Sequence, residues 1–112
     1  MATLSEVTPT LANEIQKALP SDGKVALASQ LVAAEILKCT YDNSCEAGYI
    51  YLKRPAYPVP AIHREAAEVR YTLAYADPYW FNIDIDHEGN AYGVEIIGRA
   101  EIAAELRHFG AL

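Results

Sequence analysis

Residues 80–97 read WFNIDIDHEGNAYGVEII. Two runs of alternating apolar and polar side chains flank Asp86, His87, Glu88, Gly89 and Asn90. Alternation with period two marks a half-buried strand, and Gly, Asn and Asp tolerate the left-handed backbone angles of a tight turn. The segment therefore predicts a β-hairpin. In its first strand Phe81, Ile83 and Ile85 share a face, opposite Trp80, Asn82 and Asp84. In its second, Tyr92, Val94 and Ile96 share a face, opposite Gly93, Glu95 and Ile97.

Working outward, VRYTLAY (Val69–Tyr75) alternates as strongly and is a third strand, separated from the hairpin by an Asp77-Pro78 turn. GYIYLK (Gly48–Lys53) is a strand with Ile50 and Leu52 on one side and Tyr49 and Tyr51 on the other, and ILKCTY (Ile36–Tyr41) is another, joined to it through Asp42-Asn43-Ser44. Gly98 ends the sheet, and Arg99–Phe109 carries Ile102, Leu106 and Phe109 at helical spacing before a terminating Gly110. At the other end, Thr8 caps a helix whose first residue is Pro9 and whose stripe is Leu11, Ile15, Ala18 and Leu19, up to Pro20. A second helix is expected over Lys24–Glu35. RPAYPVP (Arg54–Pro60) has too many prolines for a central strand and reads as an extended loop, followed by one or two helical turns in Ala61–Glu68. Runs of one element type rather than alternation argue for an α+β fold. The expectation is one domain over 1–112: a helical extension (1–35), a mostly antiparallel meander of about five strands (36–97) and a C-terminal helix (98–112). One sheet face packs under helices, and the other shows Tyr49, Tyr51, Asn82, Asp84 and Glu95.

The 112 residues are 52% hydrophobic and carry nine basic against fifteen acidic side chains, a net charge of −6. Residues 1–60 hold five bases and six acids, and residues 61–112 hold four and nine. Between Arg70 and Arg99 lie Asp77, Asp84, Asp86, Glu88 and Glu95 with no base. Direct binding to a nucleic-acid backbone is disfavoured, since little there would replace the counterions. No apolar run reaches the roughly 18 residues of a membrane span. MATLSEVTPTLANEIQ lacks the basic-then-apolar pattern of a secretory signal. A cytoplasmic protein of a bacterium or a phage-infected cell is expected. Cys39 and Cys45 match no zinc spacing. They flank a turn in a way that permits a cross-strand disulfide, and read more simply as two small half-buried side chains.

Asp84, Asp86, Glu88, Gly89 and Glu95 fall in the register of a calcium-binding EF-hand loop. The flanks are strand-like, however, and position 8 is Ala91, so the segment reads as a solvated acidic turn with no metal. Asp84 and Glu95 are candidate cross-strand neighbours, with Arg70 or Arg99 as salt-bridge partners. His63, His87 and His108 are scattered, and no phosphate-binding Gly-rich loop, nucleophile elbow or cofactor motif is present.

Two segments, CTYDNSCEAGYIYL (Cys39–Leu52) and NIDIDHEGNAYGVEII (Asn82–Ile97), have the forms strand, Tyr-Asp turn, Ala-x-Tyr-Ile-x-Leu, and Asn-x-Asp-x-Asp-x-x-Gly-x-x-x-Gly-Val-Glu-Ile. In that order they resemble the small bacterial domain-of-unknown-function family numbered twenty-two eighty-three, over roughly Leu37–Ile97. The resemblance implies a small antiparallel sheet, no enzyme activity to carry over, and an antitoxin-like role, since its members are often encoded beside small toxin-like proteins. The N-terminal helical extension and the Pro-rich insertion Arg54–Glu68 depart from the family pattern.

Three functions are in view. The first is a non-catalytic protein-binding module, antitoxin-like or an inhibitor of another protein, acting as a homodimer without cofactor through Tyr49, Tyr51, Trp80, Asp84, Asp86, Glu88 and Glu95. Eight tyrosines and one Trp supply the aromatic anchors such surfaces favour. The second is a phage-encoded acidic mimic of nucleic acid that blocks a host defence protein. The third is a small ligand-binding protein or enzyme using Asp84 and Glu95, with His63.

Overall fold

The computed structural model describes residues 2–55 and 69–112. Most of the Pro-rich loop, the helical turns expected at Ala61–Glu68, and His63 lie outside the described residues.

The chain opens on a short helix that the periodicity does not announce. In α1 (Leu4–Val7) the Thr3 hydroxyl accepts from the Glu6 N–H, and the Glu6 carboxylate accepts from the Thr3 N–H at 3.0 Å. This reciprocal capping box satisfies two orphan donors and makes so short a helix viable. α2 (Pro9–Ser21) begins as expected, with the Thr8 hydroxyl accepting from the Leu11 N–H, and runs one residue past Pro20. α3 (Val25–Ala33) is shorter than the Lys24–Glu35 expected. Ala34 turns extended, and the strand network takes over: Ala34 accepts from the Leu4 N–H, and the Ile36 N–H donates to Ala2.

Five strands follow: β1 (Ile36–Asp42), β2 (Ala47–Leu52), β3 (Val69–Tyr75), β4 (Phe81–Asp86) and β5 (Ala91–Ile97). They form one sheet in the order β1-β2-β5-β4-β3, with every pair antiparallel. The fold is thus α+β, as expected. The order resolves it into two local units, the β1–β2 hairpin and the β3–β4–β5 meander, sealed where β2 pairs with β5. α4 (Ala100–Phe109) closes the chain, and Gly110 takes the left-handed C-terminal position (φ 85°).

Alternation decides which side is buried. Ile50, Leu52, Phe81, Ile83, Val94 and Ile96 pack in one cluster with Leu4, Leu11, Ile15, Leu19, Leu31, Ile102 and Leu106 of the four helices. The helices therefore form one layer on one sheet face. Arg99 binds this layer to the strands: its guanidinium donates to both Glu14 oxygens at 2.6 and 2.5 Å, to Glu101 at 2.6 Å and to the Tyr79 carbonyl. The bonds to Glu14 raise its pKa above the usual arginine value. Arg99 therefore serves α2 and the β3–β4 turn rather than Asp84 or Glu95, the partners expected from charge alone.

Ile15 is fully buried, in one apolar cluster with sheet residues of the same chain. Ile15→Asp places an unpaired carboxylate there, and burying such a charge costs more than a domain's typical reserve of about 5–15 kcal/mol allows. Loss of the cooperative thermal transition is expected, whereas exposed Lys17→Ala should stay within about 0.5 kcal/mol of the parent in denaturant melts.

Candidate functional site

The sheet face opposite the helices carries none of the four described helices. Strand pairing fixes its layout. Thr40, Tyr49, Glu95 and Asn82 lie side by side across β1, β2, β5 and β4. The next row is Lys38, Tyr51, Gly93, Asp84 and Thr72. The face shows the Tyr49, Tyr51, Asn82, Asp84 and Glu95 that alternation placed there.

Asp84 is the polar centre. Its Oδ2 accepts from the Tyr49 hydroxyl at 2.6 Å and its Oδ1 from the Thr72 hydroxyl at 2.5 Å. Burial first, and then the bond to the Asp84 carboxylate, raise the Tyr49 pKa far above the ordinary phenol value, so the hydroxyl stays a donor. Gly93 makes this geometry possible. A Cβ on Gly93 would lie 2.3 Å from Tyr49 Cε1 and 2.6 Å from the Ile50 carbonyl, so the Tyr49 ring occupies the place of the missing side chain. Tyr49 and Tyr51 pack with ring centroids 4.6 Å apart and planes tilted by 52°, and Lys38 Nζ sits 4.6 Å from the Tyr51 centroid.

Asp84 and Glu95 are not opposite one another. Asp84 faces Gly93, and Glu95 faces Asn82, whose amide donates to it at 2.9 Å. The cross-strand carboxylate pair expected from spacing is therefore a diagonal one, with each member separately engaged. Tyr92 also departs from expectation. Ile85 pairs with Ala91 while Asp84 pairs with Gly93, so Tyr92 is an extra residue in the ladder. This bulge turns Tyr92 away from the core side shared by Val94 and Ile96 and gives that place to Ala91. The Tyr92 ring lies 6.4 Å from Tyr51, with the Arg54 guanidinium 4.4 Å from its centroid.

Asp86 leaves the expected partner-contact set. It is fully buried, its Oδ1 accepts from the Glu88 and Asn90 N–H groups at 2.9 Å each, and Arg54 Nη1 donates to its Oδ2 at 3.1 Å. An Asp two and four residues before backbone donors holds a turn together. Its carboxylate therefore does not join Asp84, Glu88 and Glu95 around a common centre, as the EF-hand register requires. Among the described residues no group of three or more His, Cys, Asp or Glu is placed to hold a metal ion. Glu88 and His87 are exposed at the turn, and His108 is exposed on α4.

One end of the sheet has unusual backbone. Trp80 (φ 53°) and Glu46 (φ 52°) are the non-glycine residues with left-handed angles among those described. Both bond to the same dipeptide: Trp80 accepts from the Ile97 N–H at 3.1 Å, and Glu46 from the Gly98 N–H at 2.7 Å. A left-handed angle at a bulky residue costs on the order of 1–3 kcal/mol and persists only where surroundings enforce it. At Trp80 the constraint comes from Arg99, bonded to the preceding Tyr79 carbonyl, and from the Ile97 N–H; at Glu46 it comes from the Gly98 N–H. The result holds Trp80 (47% exposed) beside Ile97 (39% exposed). Trp80 is legible as an anchor from composition. Ile97 is the apolar residue that breaks the polar side of β5, a signal present in the alternation itself.

Two grooves lie elsewhere, one of about 340 Å³ by Ile36, Leu37 and Phe109, the other of about 360 Å³ by Pro9, Glu105 and His108. Neither reaches Asp84 or Glu95. Cys39 faces Ile50 rather than Cys45, and both thiols are free. No helix among the described residues is long and apolar enough to cross a membrane. No family model, curated protein or solved structure matches the chain.

Two outcomes are expected. Gly93→Ala collides with the Tyr49 ring and the Ile50 carbonyl, and should cost about 1–3 kcal/mol in urea melts. Burial pushes the Cys39 thiol up to about 11, so it is a thiol throughout the neutral range and thiolate only in strong alkali. Iodoacetamide at pH 8 should label the exposed Cys45 first, giving one adduct by mass spectrometry.

Proposed function

We propose that the chain is a non-catalytic protein-binding module, antitoxin-like or an inhibitor, that acts as a cytoplasmic homodimer and grips another protein with its helix-free sheet face and the Trp80 end. The observation that carries this is the sheet face that none of the described helices covers. Its carboxylates are already bonded to Tyr49, Thr72 and Asn82, and half-buried Tyr49, Tyr51 and Tyr92 continue toward exposed Trp80 and Ile97. Such a surface is pre-organised: little side-chain entropy remains to be lost on docking, and aromatic anchors ringed by polar groups are what binding hot spots consist of. With Asp84 and Glu95 at its centre, it suits a partner offering basic and apolar side chains. The resemblance of Leu37–Ile97 to the small bacterial family supports the antitoxin-like form of this reading.

The other two readings fit the geometry less well. A nucleic-acid mimic needs carboxylates projecting in rows, whereas Asp86 is buried and Asp84 is bound by two hydroxyls. An enzyme using Asp84 and Glu95 needs a cleft joining them, whereas they lie diagonally on an open sheet.

Affinity purification of the tagged chain from its native host should retain one stoichiometric protein. Trp80→Ala with Ile97→Ser should weaken that complex by roughly 30-fold, the effect of losing a hot spot of about 2 kcal/mol, while Gln30→Ala on the helical layer leaves it unchanged. A chain that elutes with no partner, or a complex indifferent to Trp80 and Ile97, overturns the reading.

A further inference from the structure

β1 is an outermost strand of the sheet. Its edge is already occupied at one end, where Thr3 bridges Glu35 and Ala2 accepts from the Ile36 N–H. Immediately beyond, the register slips between Ile36 and Lys38, so Leu37 is a bulge. At the other end β1 stops at Asp42, which starts the turn by accepting from the Ser44 N–H and hydroxyl. Between bulge and turn, Lys38–Asp42 pairs with β2 in unbroken register. A regular stretch of five residues that meets a second copy of itself antiparallel, at full overlap, has its third residue on the two-fold axis. That residue is Thr40.

This register has a chemical consequence. Lys38, Thr40 and Asp42 face Tyr51, Tyr49 and Ala47 of β2, so all three lie on the same, helix-free side of the sheet. With Thr40 on the axis, each Lys38 lies opposite an Asp42 of the other copy, and opposite charges at directly facing positions attract. The edge is self-complementary. Both Ser44 bonds to Asp42 go to Oδ1, so among the described residues Oδ2 takes no side-chain hydrogen bond, and the Ser44 bonds hold the carboxyl below its usual range, which keeps it charged.

Two further observations select this edge. The chain carries a net charge of −6, and β1 belongs to the half with five bases to six acids, whereas the opposite edge strand, β3, belongs to the half with four to nine. β1 itself carries one base, Lys38, and one acid, Asp42, so the strand adds no net like-charge repulsion between copies. Beside the same edge runs the groove lined by Ile36, Leu37 and Phe109, with Leu37 56% and Phe109 51% exposed. In the Thr40-centred register the other copy's β1–β2 turn extends toward this groove. Lysines and bulges often blunt strand edges. Here they delimit a segment whose charges match its own reverse.

We propose that two copies of the chain dock antiparallel along β1, with Thr40 on the two-fold axis and Lys38 facing the partner's Asp42, to form one continuous ten-stranded sheet. This deepens the homodimer part of the proposed function and rests on it. The dimer presents two Trp80 ends and two helix-free faces on one side of a single sheet, a bivalent surface for the bound protein.

Analytical ultracentrifugation with charge-reversed variants tests the interface. The parent chain should sediment at twice its 12.3 kDa mass. Lys38→Asp and Asp42→Lys, at exposed positions, should each sediment as folded monomers, with far-UV circular dichroism unchanged. An equimolar mixture of the two variants should return to the dimer mass, because both facing pairs become opposite in sign again, and the double variant should do so by itself. If the parent is monomeric, the homodimer reading and this interface both fall, leaving the Trp80 surface to its own test. If the parent and both single variants are dimeric, the homodimer stands and this interface is wrong. If the single variants are monomeric and their mixture stays so, the Thr40 register is wrong.

Discussion

The pairing of β2 with β5 holds the remainder in place. Hairpin β1–β2 and meander β3–β4–β5 each arise from neighbours in the chain, yet neither buries a complete face alone. Their union sets Ile50 beside Val94 and gives the helices one apolar floor. The same ladder places Tyr49 against Glu95 and Tyr51 against Gly93, so the outer face is composite as well. β2 ends at Leu52 and β5 starts at Ala91, so the contact closes a long loop and its entropy cost is met only when the core forms. Both strands carry a glycine at this seam. A Cβ on Gly48 would come within 2.9 Å of the Thr40 carbonyl, and one on Gly93 within 2.6 Å of the Ile50 carbonyl. Close approach of neighbouring strands, rather than a special backbone angle, is why glycine stands at both.

Arg99 plays the corresponding part between layers. One guanidinium satisfies Glu14 on α2, Glu101 on α4 and the carbonyl before Trp80. A planar fork with five donors can do this, and a lysine cannot. The position of Trp80 is therefore set by the helical layer on the other side of the sheet. Glu105 makes a second tie of this kind: it accepts from the Thr8 hydroxyl at 2.7 Å and from the Thr10 N–H at 3.2 Å, so α4 caps the start of α2. The helical extension is thus stitched to the sheet domain by hydrogen bonds as well as by its apolar stripe.

Much of this was legible in the residues. Strict alternation placed Val69–Tyr75 as β3 at its observed limits, and the Asp-rich turn of the hairpin follows from its composition. Helix α1 does not show in the sequence pattern although Thr3 and Glu6 spell a capping box, because periodicity needs more turns than one to register. The order of strands was not legible, since nothing local tells β2 to choose β5. Tyr92 fell on the wrong side because a single extra residue reverses the parity of everything before it in a strand. Asp86 reads as a surface acid in the sequence because the turn it stabilises and the Arg54 beside it come together only in three dimensions. For the outer face, alternation identifies Tyr49, Tyr51, Asn82, Asp84 and Glu95, while Thr72 as a partner of Asp84 and Asn82 as the partner of Glu95 depend on register.

The ring of Tyr49 standing where Gly93 has no side chain also bears on how such sequences can diverge. Two positions that share one volume cannot drift separately. A larger residue at 93 needs both a small residue at 49 and a β2 backbone that yields at the Ile50 carbonyl, and a small residue at 49 leaves a gap over 93. In descendants of this chain the two sites should therefore change together, and with the spacing of β2 and β5, or not at all. Asp84, which loses its phenolic donor whenever Tyr49 is lost, should follow them.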